Sequence, residues 1–121
     1  MKHYEQVQAW VRTLDDGALV VLLEQTLGEK KEDVAGNRKC PVTERYAVHK
    51  VLPRSQESLF SMQALQNKLT IGADAPVFGA NCRFRGTKTQ LAKVLPGNNA
   101  VYEISLEVIY MKDLEEEKRN D

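Results

Sequence analysis

An α+β fold is the prediction for this 121-residue chain, and three observations carry it. The first segment spaces its apolar residues as an amphipathic helix does. The last long segment alternates apolar and polar residues with a period of two. Between them a capped helical stripe is flanked by further alternating stretches. The expected order is two N-terminal helices, a strand, a helix, then three antiparallel strands, with the helices packed on one face of the sheet.

In "HYEQVQAWVRTL" at 3–14, Tyr4, Val7, Trp10, Val11 and Leu14 recur at helical spacing and form one apolar stripe. "DDG" at 15–17 breaks that pattern, and Asp15 or Asp16 is placed to cap the next element. "ALVVLLEQTL" at 18–27 is apolar on nearly every side, which suits a buried helix or a buried strand; Gly28 as a C-terminal stop favours the helix. "GEKKEDVAGNRKCP" at 28–41 has no period and reads as a loop. From Thr43 the pattern becomes a strand, with Tyr46, Val48 and Leu52 on one face and Glu44 and Lys50 interrupting it, ended by Pro53.

"SQESLFSMQALQNKL" at 55–69 opens on a capping Ser and carries the stripe Leu59, Met62, Leu65 and Leu69. "GADAP" is a turn, and "VFGANCRFRG" at 77–86 alternates Cys82 and Phe84 inward against Arg83 and Arg85 outward. "TQLAKVL" then pairs, through "PGNN" at 96–99, with "AVYEISLEVIY", whose Tyr102, Ile104, Leu106, Val108 and Tyr110 share one face. The tetrapeptide "KVLP" occurs at 50–53 and at 93–96, but the first leads to a helix and the second to a hairpin. Both are strands stopped by a residue that cannot donate to a ladder, so there is no repeat. Residues 1–112 are expected to form one domain, and 113–121, with Leu114 as its lone apolar residue, a charged tail that frays.

Composition bounds the function. A hydrophobic share of 42% with 28% charged residues is that of a globular protein. The longest apolar run, "ALVVLL", is far short of the roughly 20 residues that span a bilayer, and the first residues show no secretory h-region. A cytoplasmic, reducing location with no membrane partner is the expectation. Cys40 and Cys82 stand too far apart for a redox pair or thiolate zinc site and read as small apolar residues.

Charge is unevenly spread although the formal net charge is zero. Residues 1–36 balance at −3, residues 37–93 at +7 (ten Lys/Arg against three Asp/Glu) and residues 94–121 at −4. A basic middle between acidic ends hints at an anionic partner. Its expected centre is Arg83, Arg85, Lys88 and Lys93, since guanidinium forks suit phosphate and carboxylate oxygens. The competing reading is a solvated face neutralised within the fold.

No catalytic constellation is visible. His3 sits at a terminus expected to fray, and His49 on a strand face reads as a surface histidine. No metal-ligand spacing, phosphate loop or Cys–His pair can be written, so neither a metal nor a cofactor is expected. The sequence therefore points to a non-enzymatic interaction or assembly protein that binds another macromolecule, or itself, through its sheet and basic segment. A homodimer or small ring is expected because the last strand is long and reads as the sheet edge. Two alternatives are a nucleic-acid-associated protein using the 83–93 segment, and a small-molecule binder with a cavity lined by Trp10, Phe84, Tyr102 and Tyr110.

Overall fold

In the computed structural model, which describes residues 2–32 and 34–114, the apolar stripe of the first segment folds as α1, His3–Leu14. Val7, Trp10 and Val11 turn inward, as their spacing requires. Asp15 closes the helix instead of opening another: its N–H donates to the Val11 carbonyl at 2.9 Å, and its Oδ1 accepts from Gly17 N at 3.0 Å. The next element is a strand, β1, Leu19–Leu27, and this corrects the expected second helix. Only Val20 within it is buried, so the segment is apolar without being enclosed.

The expected loop contains a two-residue strand, β2, Lys31–Glu32, and a turn at Gly36 with φ +82°. It joins β1 to the long strand β3, Arg38–Pro53, which pairs antiparallel with both β1 and β2. α2, Gln56–Ile71, then starts where Ser55 Oγ accepts from Ser58 N at 3.1 Å, and ends on Gly72 in the left-handed region. The cap matches the sequence signal, and the helix runs two residues beyond the expected Leu69 to the turn at Gly72.

β4, Ala80–Leu95, and β5, Asn99–Asp113, complete the sheet. The two strands expected at 77–86 and 89–95 are one, because Gly86 sits at a register shift and not in a turn. Gly97 and Asn98, both at positive φ, make the hairpin turn into β5. The result is a single α+β domain: a five-stranded antiparallel sheet in the order β1-β3-β5-β4, with β2 extending the β1 side, and two helices.

β5 is an interior strand. Its pairing with β3 runs unbroken from Lys39 opposite Asp113 to Pro53 opposite Asn99, and β4 pairs along its other side. The expectation of β5 as the sheet edge is thereby overturned; the edges are β1 and β4. Opposed residues of an antiparallel pair point to the same face. Ala100, Tyr102, Ile104, Leu106, Val108 and Tyr110 of β5 thus join Val42, Tyr46 and Val48 of β3 in one core with both helices. The opposite face carries the odd-numbered residues of β5, and among the described residues no helix covers it. Residues 115–121, most of the expected tail, lie outside the described residues, and β5 runs through Asp113. No helix among the described residues is long and apolar enough to cross a membrane.

Candidate functional site

The open sheet face gathers the basic residues that the sequence singled out. Arg83 lies opposite Ile109, Arg85 opposite Glu107, Lys88 opposite Ser105 and Lys93 opposite Val101. Every partner is odd-numbered on β5, so all four cations lie on the open face. Strict alternation would have sent Lys88 to the helix side, away from Arg85. The register shift between Gly86 and Lys88 turns it outward, and a second shift between Leu91 and Lys93 returns Lys93 to the same face. All four side chains are exposed.

The acidic groups of that face are largely engaged elsewhere. Glu24 pairs with Arg45 at 2.9 Å. Glu103 accepts from Gln90 Nε2 at 2.7 Å and lies 2.9 Å from His49 Nε2. The hydrogen bonds from His49 and Gln90 hold the Glu103 carboxyl below its ordinary value, against a smaller opposing effect of burial, and Lys88 adds its charge. Glu107 stands opposite Arg85 without forming an ion pair, and among the described residues Arg83, Arg85 and Lys93 have no carboxylate partner. Between these charges lie Val21, Val51, Val101, Ile109 and Met111, partly or largely exposed. Tyr46, Phe84, Tyr102 and Tyr110, the aromatic residues of the strands, all face the helices instead.

A second constellation was not legible in the sequence. Glu44, read as an interruption of the strand pattern, is 2% exposed and lies beneath the N-terminus of α1. Its Oε1 accepts from Tyr46 Oη at 2.6 Å. Its Oε2 accepts from Tyr110 Oη at 2.8 Å and Gln25 Nε2 at 3.0 Å, and lies 2.7 Å from His3 Nδ1. Burial would raise this carboxyl, but the donors, Tyr46 foremost, and the His3 imidazole outweigh it and hold the group below its ordinary value of 4.5. Burial and the adjacent carboxylate push both phenols upward, so Tyr46 and Tyr110 remain donors. His3 also stacks on Phe78, with ring centroids 3.8 Å apart and planes 12° from parallel. Far from fraying, this residue is a tie between helix and sheet.

The cluster forms the back of a cleft of about 640 Å³ that is also lined by Lys39 and Gly79. A Cβ on Gly79 would strike the Met111 carbonyl, so only glycine lets this turn lie against β5. His3 of α1, Gln25 of β1, Tyr46 of β3 and Tyr110 of β5 converge on the Glu44 carboxylate, which makes it a fastener between the first helix and three strands. Neither thiol joins it: Cys40 donates to the Gly28 carbonyl at 3.3 Å, and Cys82 faces the Pro76 carbonyl. Among the described residues no group of three metal-ligating side chains occurs.

The four residues expected to line one cavity are dispersed. Trp10 and Phe84 pack on each other in the core with centroids 4.7 Å apart, and the Trp10 indole donates to the Ala73 carbonyl at 2.9 Å. Tyr102 accepts from Ser55 N at 3.2 Å at the far end of the sheet, while Tyr110 reaches the Glu44 cleft. No protein-family model matches the chain, and no curated protein resembles it significantly.

Proposed function

We propose that this is a non-enzymatic binding protein whose open sheet face docks an acidic segment of another protein. The observation that carries the reading is the placement of Arg83, Arg85, Lys88 and Lys93 on one exposed face, three of them without a carboxylate partner among the described residues. Like charges set along one strand repel unless an anion lies over them. The aliphatic residues between β1 and β5 supply a contact surface for the side chains that accompany such an anion.

A protein partner fits this face better than a nucleic acid does. Binding of single strands relies on aromatic platforms for base stacking, and the aromatic rings of these strands point into the core. The zero formal charge also gives little long-range attraction for a polyanion.

The test compares wild type with the double variant Arg83→Glu/Arg85→Glu, using a peptide of alternating Glu and Leu and a single-stranded oligonucleotide as probes. The wild type should bind the peptide, with amide shifts centred on β4 and β5 and extending across the open face to β3 and β1, and should bind less as salt rises. The variant should keep its melting temperature and bind the peptide about tenfold more weakly or worse. Unchanged peptide binding by the folded variant, or preference for the oligonucleotide, would overturn the reading.

A further inference from the structure

We propose that the cleft at the end of the sheet binds a small hydroxycarboxylic acid with an apolar body, its carboxylate on Lys39 and its hydroxyl on His3. The cleft, of about 640 Å³, has the size of a small-molecule site. It combines an apolar wall of Phe78, Ala80 and Met111 with two polar groups that the fold leaves unsatisfied. None of Arg83, Arg85, Lys88 and Lys93 lines it, so it is separate from the basic surface of the open face.

The first polar group is the outer nitrogen of His3. The buried Glu44 carboxylate is an acceptor, so His3 Nδ1, 2.7 Å from Oε2, carries the hydrogen of that contact. This bond and the stacking on Phe78 fix the ring in place. Fixing one nitrogen leaves the other to define what the ring offers. Among the described residues Nε2 has no hydrogen-bond partner, and the side chain that carries it is 37% exposed where it lines the cleft. Nε2 accepts when the imidazole is neutral and donates when it is protonated. A hydroxyl serves both states, because it can donate and accept.

The second is the ammonium of Lys39. This half-buried side chain has no carboxylate partner among the described residues, although Asp113 stands opposite it on β5. On its other side β2 sets Lys31 directly opposite. Like charges opposed across a ladder destabilise it unless an anion lies over them. The matching group is a carboxylate, for which a single ammonium is a sufficient point of charge. Phe78 and Met111 then cover the hydrocarbon of the ligand, which favours an organic acid over a bare inorganic anion.

The experiment titrates the nitrogen-15-labelled full chain with three probes of similar size. They are para-hydroxyphenylacetate, phenylacetate (without the hydroxyl) and tyrosol (without the carboxylate). The hydroxy acid should bind, with amide shifts centred on residues 78–80 and Met111. Phenylacetate should bind about fivefold and tyrosol about tenfold more weakly. Lys39→Met, with its melting temperature retained, should lose about tenfold in affinity for the hydroxy acid and none for tyrosol. His3 is followed without substitution, because its replacement would disturb Glu44: its Nε2 resonance should move further with the hydroxy acid than with phenylacetate. Arg83→Glu/Arg85→Glu should bind the hydroxy acid as wild type does, which separates this site from the one proposed for an acidic segment. No binding at millimolar probe, equal affinities for the three probes, unchanged affinity in Lys39→Met, or amide shifts centred on Arg83 and Arg85 would each overturn the proposal.

Discussion

Replacing Glu44 with Gln keeps the shape of the buried side chain and removes its charge, so it isolates what the carboxylate contributes. Three groups converge on Oε2: Tyr110 Oη, Gln25 Nε2 and His3 Nδ1. The amide oxygen of Gln must therefore take that side, leaving the amide nitrogen toward Tyr46 Oη, which can turn to accept. The Tyr46 O–H thereby loses its acceptor in the core, and the hydrogen bonds that remain lose their charge assistance. Charged hydrogen bonds contribute about 1.5–3 kcal/mol each and neutral ones about 0.5–1.5, and the gain from no longer burying a charge offsets part of the difference. The expected net loss is about 2–4 kcal/mol, read as the shift in a urea unfolding midpoint at constant slope. The pH dependence provides a second reading. Because the folded-state carboxyl lies below its ordinary 4.5, its contribution is complete above that value and is lost as pH falls through the folded value. The unfolded chain takes up the proton first, so acid favours unfolding. Glu103 is shifted the same way and is common to both proteins, so the difference in acid sensitivity between wild type and Glu44→Gln reports Glu44 alone. A variant within about 0.5 kcal/mol of wild type, or equal acid sensitivity below pH 4.5, would refute the account of this cluster as a charged fastener.

Two further perturbations test the sheet. Leu106 is buried on the helix face and Ser105 lies on the open one, so Leu106→Ala should cost about 2–5 kcal/mol and Ser105→Ala less than about 0.5 in denaturant unfolding. Equal losses would mean the faces of β5 are exchanged. Gly86→Ala would bring a Cβ to 2.6 Å from Gln66 Cγ and 2.9 Å from the Gln66 carbonyl, forcing α2 away from β4; a loss of about 1–3 kcal/mol is expected, and a neutral result would show that the helix yields at no cost.

The elements legible in the sequence are those whose signals are local. The stripe of α1, the Ser55 cap of α2 and the turn that follows it, the Gly97–Asn98 turn and the period of two along β5 each depend on residues a few positions apart. Helix spacing, capping and turn chemistry are settled by neighbours in the chain, so one sequence suffices to read them. The number of basic residues in the middle segment was equally plain, and with it the expectation of an anionic partner.

Tertiary structure decided every question answered by a distant partner. "ALVVLLEQTL" has the composition of a buried helix or a strand, and only pairing with β3, from Leu19 opposite His49 to Leu27 opposite Val42, makes it an edge. Chain order suggested that the last strand lies outermost, yet β5 inserts between β3 and β4, because strand order is set by non-local pairing. Glu44 looked like a flaw in an alternating pattern; its partners His3 and Tyr110 are 41 and 66 residues away. Lys88 and Lys93 share a face with Arg83 and Arg85 only because β4 slips its register twice against β5. Side-chain direction along a strand is a property of the ladder, and the ladder forms only when the strands have met.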